Sequence, residues 1–271
     1  YYNTKDNTGN RDLYLMSTKG GEAQKITDMP GGEYGAHFVG NDIAFNNGGL
    51  LYLFRMKDQT YGALTDIDGG VSGAKALKLS NGKIRIVFAK AFKNSKSSAD
   101  LYPDLPTAVF RVIDDLMYRH WDSWDDHQAS LVCFADYDKE AVSQFEVLIQ
   151  DNQFESPVPP FGGSESYTLS PDGKTLAYEL KPLKGKDFAE QTNSEIYLVN
   201  LESKITTNIS EGMMGYDKNP QFSPDGSKIA WLSMATNGYE SDVNDLVIMN
   251  IKSGQKTHIL KETERYNDLT F

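Results

Sequence analysis

A single cysteine, Cys133, excludes any internal disulfide. It sits in the apolar run Leu131-Val132-Cys133-Phe134 and reads as a buried structural thiol rather than a reactive one. Positive charge is also scarce, with 27 Lys and Arg against 38 Asp and Glu for a net charge of −11. No basic stripe interrupts that balance, which excludes nucleic acid and anionic membrane surfaces as partners. No apolar run approaches the roughly 20 residues that a membrane-spanning helix needs. Catalytic signatures are missing as well. Gly162-Gly163-Ser164-Glu165-Ser166 and Gly69-Gly70-Val71-Ser72-Gly73 both miss the Gly-x-Ser-x-Gly elbow, and there is no phosphate-cradling or dinucleotide loop. The four histidines (His37, His120, His127, His258) show no established metal spacing. No catalytic residue, cofactor, metal or nucleophile–imidazole pair is therefore expected within the chain.

What is present is a repeat. Ser-Pro-Asp-Gly occurs at 170–173 and again at 223–226, each time between two strand-like runs. Proline pre-sets the first central turn residue, Asp suits the second, and Gly accepts the positive φ that closes a short hairpin. A worn copy stands at Leu79-Ser80-Asn81-Gly82 and a shorter one at Val39-Gly40-Asn41-Asp42. The two serines are 53 positions apart, and 40 separate Gly40 from Ser80. Periods of about 40 to 50 residues with several strands each point to propeller blades. Five third strands follow: 13–16, 50–53, 131–134, 196–199 and 246–249. Five more polar fourth strands come after them, at 24–27, 62–65, 145–148, 206–209 and 257–260. Polar outer strands suit a blade rim, where an apolar edge would invite aggregation.

The expected fold is all-β: a β-propeller of four-stranded antiparallel blades, about five in number. The units are 1–35, 36–73, 74–150 with an insert at 97–128, 151–218 and 219–268. Residues 269–271 would begin the next blade. Tyr1-Tyr2-Asn3 reads as the tail of a second strand, so the ring is either closed by the two ends or incomplete at both. Asp6–Asp12 resembles a calcium loop without its distal glutamate and reads better as a turn.

The 97–128 insert is too long for a turn. Within it, 108–118 is apolar with mixed spacing and reads as a strand extension or a short helix. Trp121, Asp122 and Trp124 follow, and two of the chain's three tryptophans lie within four residues. They read either as cover for a blade edge or as a binding ledge, with aromatic faces packing on a substrate and carboxylates holding a cation such as a peptide amine. Asp122, Asp125, Asp126 and His127 fit no established metal pattern. In a four-stranded blade, the connections between strands two and three open on the same face as those between blades. That face would gather the insert, Lys181–Ser194, Ala235–Asn244, Glu33-Tyr34, Glu165 and Tyr216-Asp217. Loops on a rigid scaffold are where binding residues tend to lie.

The repeats Ser-Pro-Asp-Gly-Lys-Thr-Leu-Ala-Tyr and Ser-Pro-Asp-Gly-Ser-Lys-Ile-Ala-Trp resemble those of TolB-type and prolyl-oligopeptidase-type propellers. Three stretches narrow the likeness: Asp114–Trp124, Glu155–Gly163 and Glu211–Pro220. Together they resemble the N-terminal propeller of bacterial dipeptidyl and acylaminoacyl peptidases of the prolyl oligopeptidase family. That resemblance implies a C-terminal α/β-hydrolase domain of the same polypeptide, carrying a Ser-Asp-His triad that falls on no residue here. It implies short peptides as ligands, a gating and docking role for the propeller, and a periplasmic or secreted location. The acidic Glu-Glu pair of the best-known dipeptidyl peptidases is missing. Trp121, Asp122 and Trp124, with Glu33 and Glu165, take its place as candidate substrate-binding residues. The alternative is a TolB-like periplasmic scaffold that binds protein partners with no hydrolase.

Overall fold

The computed structural model describes residues 2–3, 8–105, 107–125, 127–138, 141–149, 151, 154–259 and 269. The chain forms two compact units, one of residues 1–90 with 133–146 and the other of 91–132 with 147–271. Short ladders open the chain, β1 (Tyr2–Asn3) with β2 (Thr8–Gly9) and β3 (Tyr14–Leu15) with β4 (Gln24–Lys25). A four-stranded antiparallel sheet follows: β5 (Tyr34–Val39), β6 (Asp42–Asn47), β7 (Leu50–Arg55) and β8 (Thr60–Ala63). The next sheet contains β9 (Ser72–Lys78) and β10 (Ile84–Lys93). After α1 (Ser98–Leu101) and the hairpin β11 (Arg119–His120) to β12 (Ser123–Trp124), that sheet is completed by β13 (Gln128–Asp138), β14 (Ala141–Val142) and β15 (Glu146–Val147).

Two regular four-stranded sheets complete the second unit. One runs β16 (Tyr167–Leu169), β17 (Thr175–Leu180), β18 (Glu195–Asn200), β19 (Thr206–Asn208), with α2 (Gly185–Glu190) between its second and third strands. The other runs β20 (Asp217–Phe222), β21 (Lys228–Ser233), β22 (Asp245–Asn250), β23 (Lys256–Ile259). The fold is all-β, with β9 and the third strands where the repeat places them. Second strands are almost wholly buried and the fourth strands β8, β19 and β23 are mostly exposed, as an outer rim requires.

The described residues of the opening unit form two-stranded ladders, and Leu13, Leu15, Ile26 and Met29 pack against Ile43, Phe45 and Phe54 of the following sheet. Residues 4–7 of the calcium-loop-like stretch, and 270–271 of the expected last strand, lie outside the described residues.

The repeated turn explains its own composition. Ser170 Oγ donates to Asp172 Oδ1 at 2.6 Å and accepts from Thr175 N at 2.9 Å, while Lys174 N donates to Asp172 Oδ1 at 3.0 Å. The second copy makes the same bonds: Ser223 Oγ to Asp225 Oδ1 at 2.6 Å, Lys228 N to Ser223 Oγ at 3.0 Å, Ser227 N to Asp225 Oδ1 at 3.0 Å. Gly173 and Gly226 take φ values of 70° and 68°, a region costly to any residue with a Cβ. These donors hold Asp225 down at about 2.

In the second unit the two regular sheets share one core of Ala177, Ile196, Ile209, Ile229, Trp231, Val247 and Met249. Trp231 is fully buried, and its indole N–H donates to Asp217 Oδ1 at 3.1 Å. Burial pushes the Asp217 carboxyl up to about 7. Cys133 is buried as expected, and desolvation pushes its thiol up to about 12, which leaves it inert at neutral pH.

Candidate functional site

The insert of the second unit is built differently from its sequence pattern. Residues 108–118 form neither strand nor helix; they are an extended, largely exposed segment. Among the described residues no strand falls in this stretch, and mixed apolar spacing gives it no single face to bury. Regular structure appears on either side, in the one-turn α1 and in the β11–β12 hairpin.

The hairpin pairs Arg119 with Trp124 and His120 with Ser123, leaving Trp121-Asp122 as its two-residue tip. Trp121 adopts φ 49°, a left-handed conformation that few bulky residues take. The tip is therefore sterically costly, yet its indole stays 67% exposed. Its ring meets Phe161 edge-on at 5.3 Å, and Phe161 is itself 76% exposed. His120 stacks edge-on against Trp121 at 5.2 Å. Asp122 lies exposed beside it. Trp124 plays a different part: the Arg111 guanidinium sits 4.5 Å over its ring and Tyr118 packs at 6.1 Å, so it anchors the hairpin to the 108–118 segment.

Other segments of the unit converge here. A methyl group on Gly185 would fall 2.7 Å from Asp115 Oδ2, which places the start of α2 against the insert. Thr192 N donates to Asn237 Oδ1 at 2.9 Å and Gly238 N to Thr192 Oγ1 at 3.0 Å, which ties 181–194 to 235–244. Burial, with the Asp125 charge nearby, pushes Glu155 up to about 7. Glu165 is exposed at the start of a short 3₁₀ turn, Ser164–Ser166.

Glu33 belongs to the first unit, where its N–H donates to Arg11 O at 2.9 Å. Its carboxylate is 3% exposed, and neither oxygen has a hydrogen-bond partner. Two buried acceptor oxygens in that condition favour any donor that reaches them. Phe161, Arg111 and Glu155 were not singled out from the sequence. The signal for Phe161 and Glu155 was their place in the Glu155–Gly163 stretch; Arg111 carried none.

One expectation is corrected. A hydroxyl–imidazole contact does exist, Ser95 Oγ to His127 Nδ1 at 2.8 Å. The same hydroxyl lies 3.1 Å from Asn94 Oδ1, and among the described residues no carboxylate bonds the imidazole. Ser95 is exposed, so the pair lacks the orienting acid and the dry surroundings that make serine a nucleophile. Asp126, part of the metal pattern considered above, lies outside the described residues. Among the described residues no group of three His, Cys, Asp or Glu side chains could hold a metal ion.

No protein-family model matches the chain. Dipeptidyl-peptidase 5 of Porphyromonas gingivalis is 38% identical over 261 residues, which is 94% of this chain. The chain is homologous to the dipeptidyl-peptidase 5 proteins. It spans 38% of the length of that relative. Among solved structures, TolB from Acinetobacter baumannii superposes with a TM-score of 0.54 at 13% identity, covering 91% of this chain and 48% of TolB. Pyrococcus horikoshii acylaminoacyl peptidase gives a TM-score of 0.57 at 11% identity, covering 92% of this chain and 35% of that enzyme. Both likenesses concern fold, and with the relative they make the chain the propeller portion of a dipeptidyl-peptidase 5-like protein.

Proposed function

We propose that this propeller portion gates and docks short peptides for a serine exopeptidase of the dipeptidyl-peptidase 5 type, the hydrolase being a further domain of the same polypeptide. The reading rests above all on the 38% identity to a dipeptidyl-peptidase across 94% of the chain. The exposed Trp121–Phe161 ledge supports it, because aromatic faces held on a rigid hairpin lose little entropy on packing against a peptide. A carboxylate then captures the free amine. Asp122 offers one beside the ledge, and Glu33 offers another, buried and unpartnered, in the first unit. A periplasmic or secreted location accompanies this reading.

Steady-state kinetics of the full-length enzyme test it. Asp122→Ala, Glu33→Gln and Trp121→Ala are each compared with wild type on dipeptidyl substrates with free and blocked amines. The variant that removes the docking carboxylate raises KM about tenfold on the free-amine substrate and leaves the blocked one unchanged. Kinetics unchanged in all three variants remove these residues from the site. The absence of peptidase activity in the wild-type enzyme removes the function itself.

A further inference from the structure

Among the described residues strand β9 is the edge of its sheet, and at Ala74 and Ala76 the edge not paired with β10 is held by side chains. Two residues of the first unit close it. Asn46 of β6 donates through Nδ2 to Ala74 O and accepts from Ala74 N, both at 2.9 Å. His37 of β5 accepts from Ala76 N through Nε2 at 2.8 Å, and its Nδ1 lies 2.8 Å from Gly35 O. Ala74 and Ala76 are two residues apart, so their polar groups face the same side of the strand.

These bonds determine the state of the ring. An N–H pointing at Nε2 requires a lone pair there, so the proton sits on Nδ1 and is given to Gly35 O. Protonation would put an N–H against the N–H of Ala76. The Gly35 carbonyl favours the protonated ring, but burial outweighs it. The charged side chains of β5, β6 and β9 are Lys75 and Lys78 on β9 and Asp42 on β6, with Tyr34 the other titratable group on β5; β7 adds Tyr52 and Arg55, and β10 adds Arg85, Lys90 and Lys93. Of these, the Lys75 charge opposes an imidazolium. Burial opposes it further and holds the imidazole below its ordinary value.

We propose that His37 is an acid-sensitive latch: its neutral ring closes the β9 edge at Ala76, and protonation releases Ala76 N–H and bares that part of the edge while Asn46 still holds Ala74. A freed strand edge is a template for pairing with another chain, so acid would also promote self-association.

Hydrogen–deuterium exchange on this chain tests the latch, with rates corrected for the intrinsic effect of pH. From pH 7.5 to pH 5, protection of the Ala76 amide falls about tenfold or more, whereas the Asp217 amide, which donates to Ser194 Oγ at 3.1 Å, loses less. His37→Gln, which supplies a non-titrating acceptor, removes the pH dependence at Ala76. Imidazole nitrogen NMR of the wild type provides a second reading that needs no variant, and finds the Nδ1–H tautomer at pH 7.5. Ala76 protection that is flat with pH, equal losses at Ala76 and Asp217, or an Nε2–H tautomer would each overturn the proposal.

Discussion

The two units solve the same problem with opposite chemistry. Each must close the open edge of a strand that, among the described residues, has no strand neighbour on that side. In the first unit, Asn46 holds Ala74 through both its N–H and C=O, and His37 holds Ala76. In the second, Ser194 does what Asn46 does: its Oγ donates to Asp217 O at 2.8 Å and accepts from Asp217 N at 3.1 Å. The titrating groups beside these bonds respond to acid in opposite directions. His37 is lowered from 6.5, so the unfolded chain binds its proton more readily and stability falls as pH drops below about 6.5. Asp217 is raised from 3.8 to about 7, so the fold keeps a proton that the unfolded chain gives up. Stability in the second unit therefore falls as pH rises through that window. Glu179, pushed up to about 8 by burial, acts in the same direction.

The largest test breaks the second unit alone. Trp231→Ala empties the core shared by its two regular sheets and leaves Asp217 without its indole donor. A loss of about 3–5 kcal/mol is expected. Denaturant unfolding followed by exchange should find β20 to β23 weakened while β5 to β8 hold. Equal loss in both units would mean that they unfold as one body.

Asp217→Asn sharpens the contrast. The amide oxygen still accepts from Trp231 Nε1, but the charge that costs stability above about pH 7 is gone. At pH 8 the variant should be about 1–3 kcal/mol more stable than wild type, and the gain should shrink steadily below pH 7 and vanish only near pH 3.8, the ordinary value of the carboxyl. Thermal melts across that range measure it. A gain that is constant across pH would mean that Asp217 stays ionised in the fold.

How much of this was visible in the sequence depends on the range of the chemistry. The Ser-Pro-Asp-Gly turns were legible because every bond they make lies within five residues. The third strands were legible from apolar runs, and the rims from their polarity. The edge closures were not, because His37 and Ala76 are 39 residues apart and nothing in either segment names the other. The insert was half legible. Trp121, Asp122 and Trp124 stood out by composition, but a hairpin with a left-handed tryptophan at its tip has no sequence signal. Phe161, the partner that makes Trp121 a ledge, lies 40 positions on and reads only as part of a Pro-rich loop. The opening ladders pack on the next sheet through Leu13, Leu15 and Ile26, contacts that the apolar 13–16 run announces without naming their partners.

A smaller effect checks that the repeat is structural. Ser170→Ala removes the hydroxyl that donates to Asp172 and accepts from Thr175 N. It should cost about 1 kcal/mol, and Ser223→Ala about the same, since its bonds match. Urea unfolding of the two variants makes the comparison. A marked difference between them would show that the turns differ in what surrounds them and not in their own bonds.

The smallest expected change separates binding from folding in the insert. Trp121 contributes little buried surface, being 67% exposed, and its left-handed backbone is a cost to the fold. Trp121→Gly should therefore leave stability within about 0.5 kcal/mol of wild type, because glycine accepts φ 49° freely and offsets the lost contact with Phe161. Urea unfolding measures that balance. A loss of 2 kcal/mol or more, roughly what a buried side chain contributes, would mark Trp121 as a packing residue covering the blade edge. Little or no loss leaves the exposed indole without a folding role, which is what a surface kept for a ligand requires.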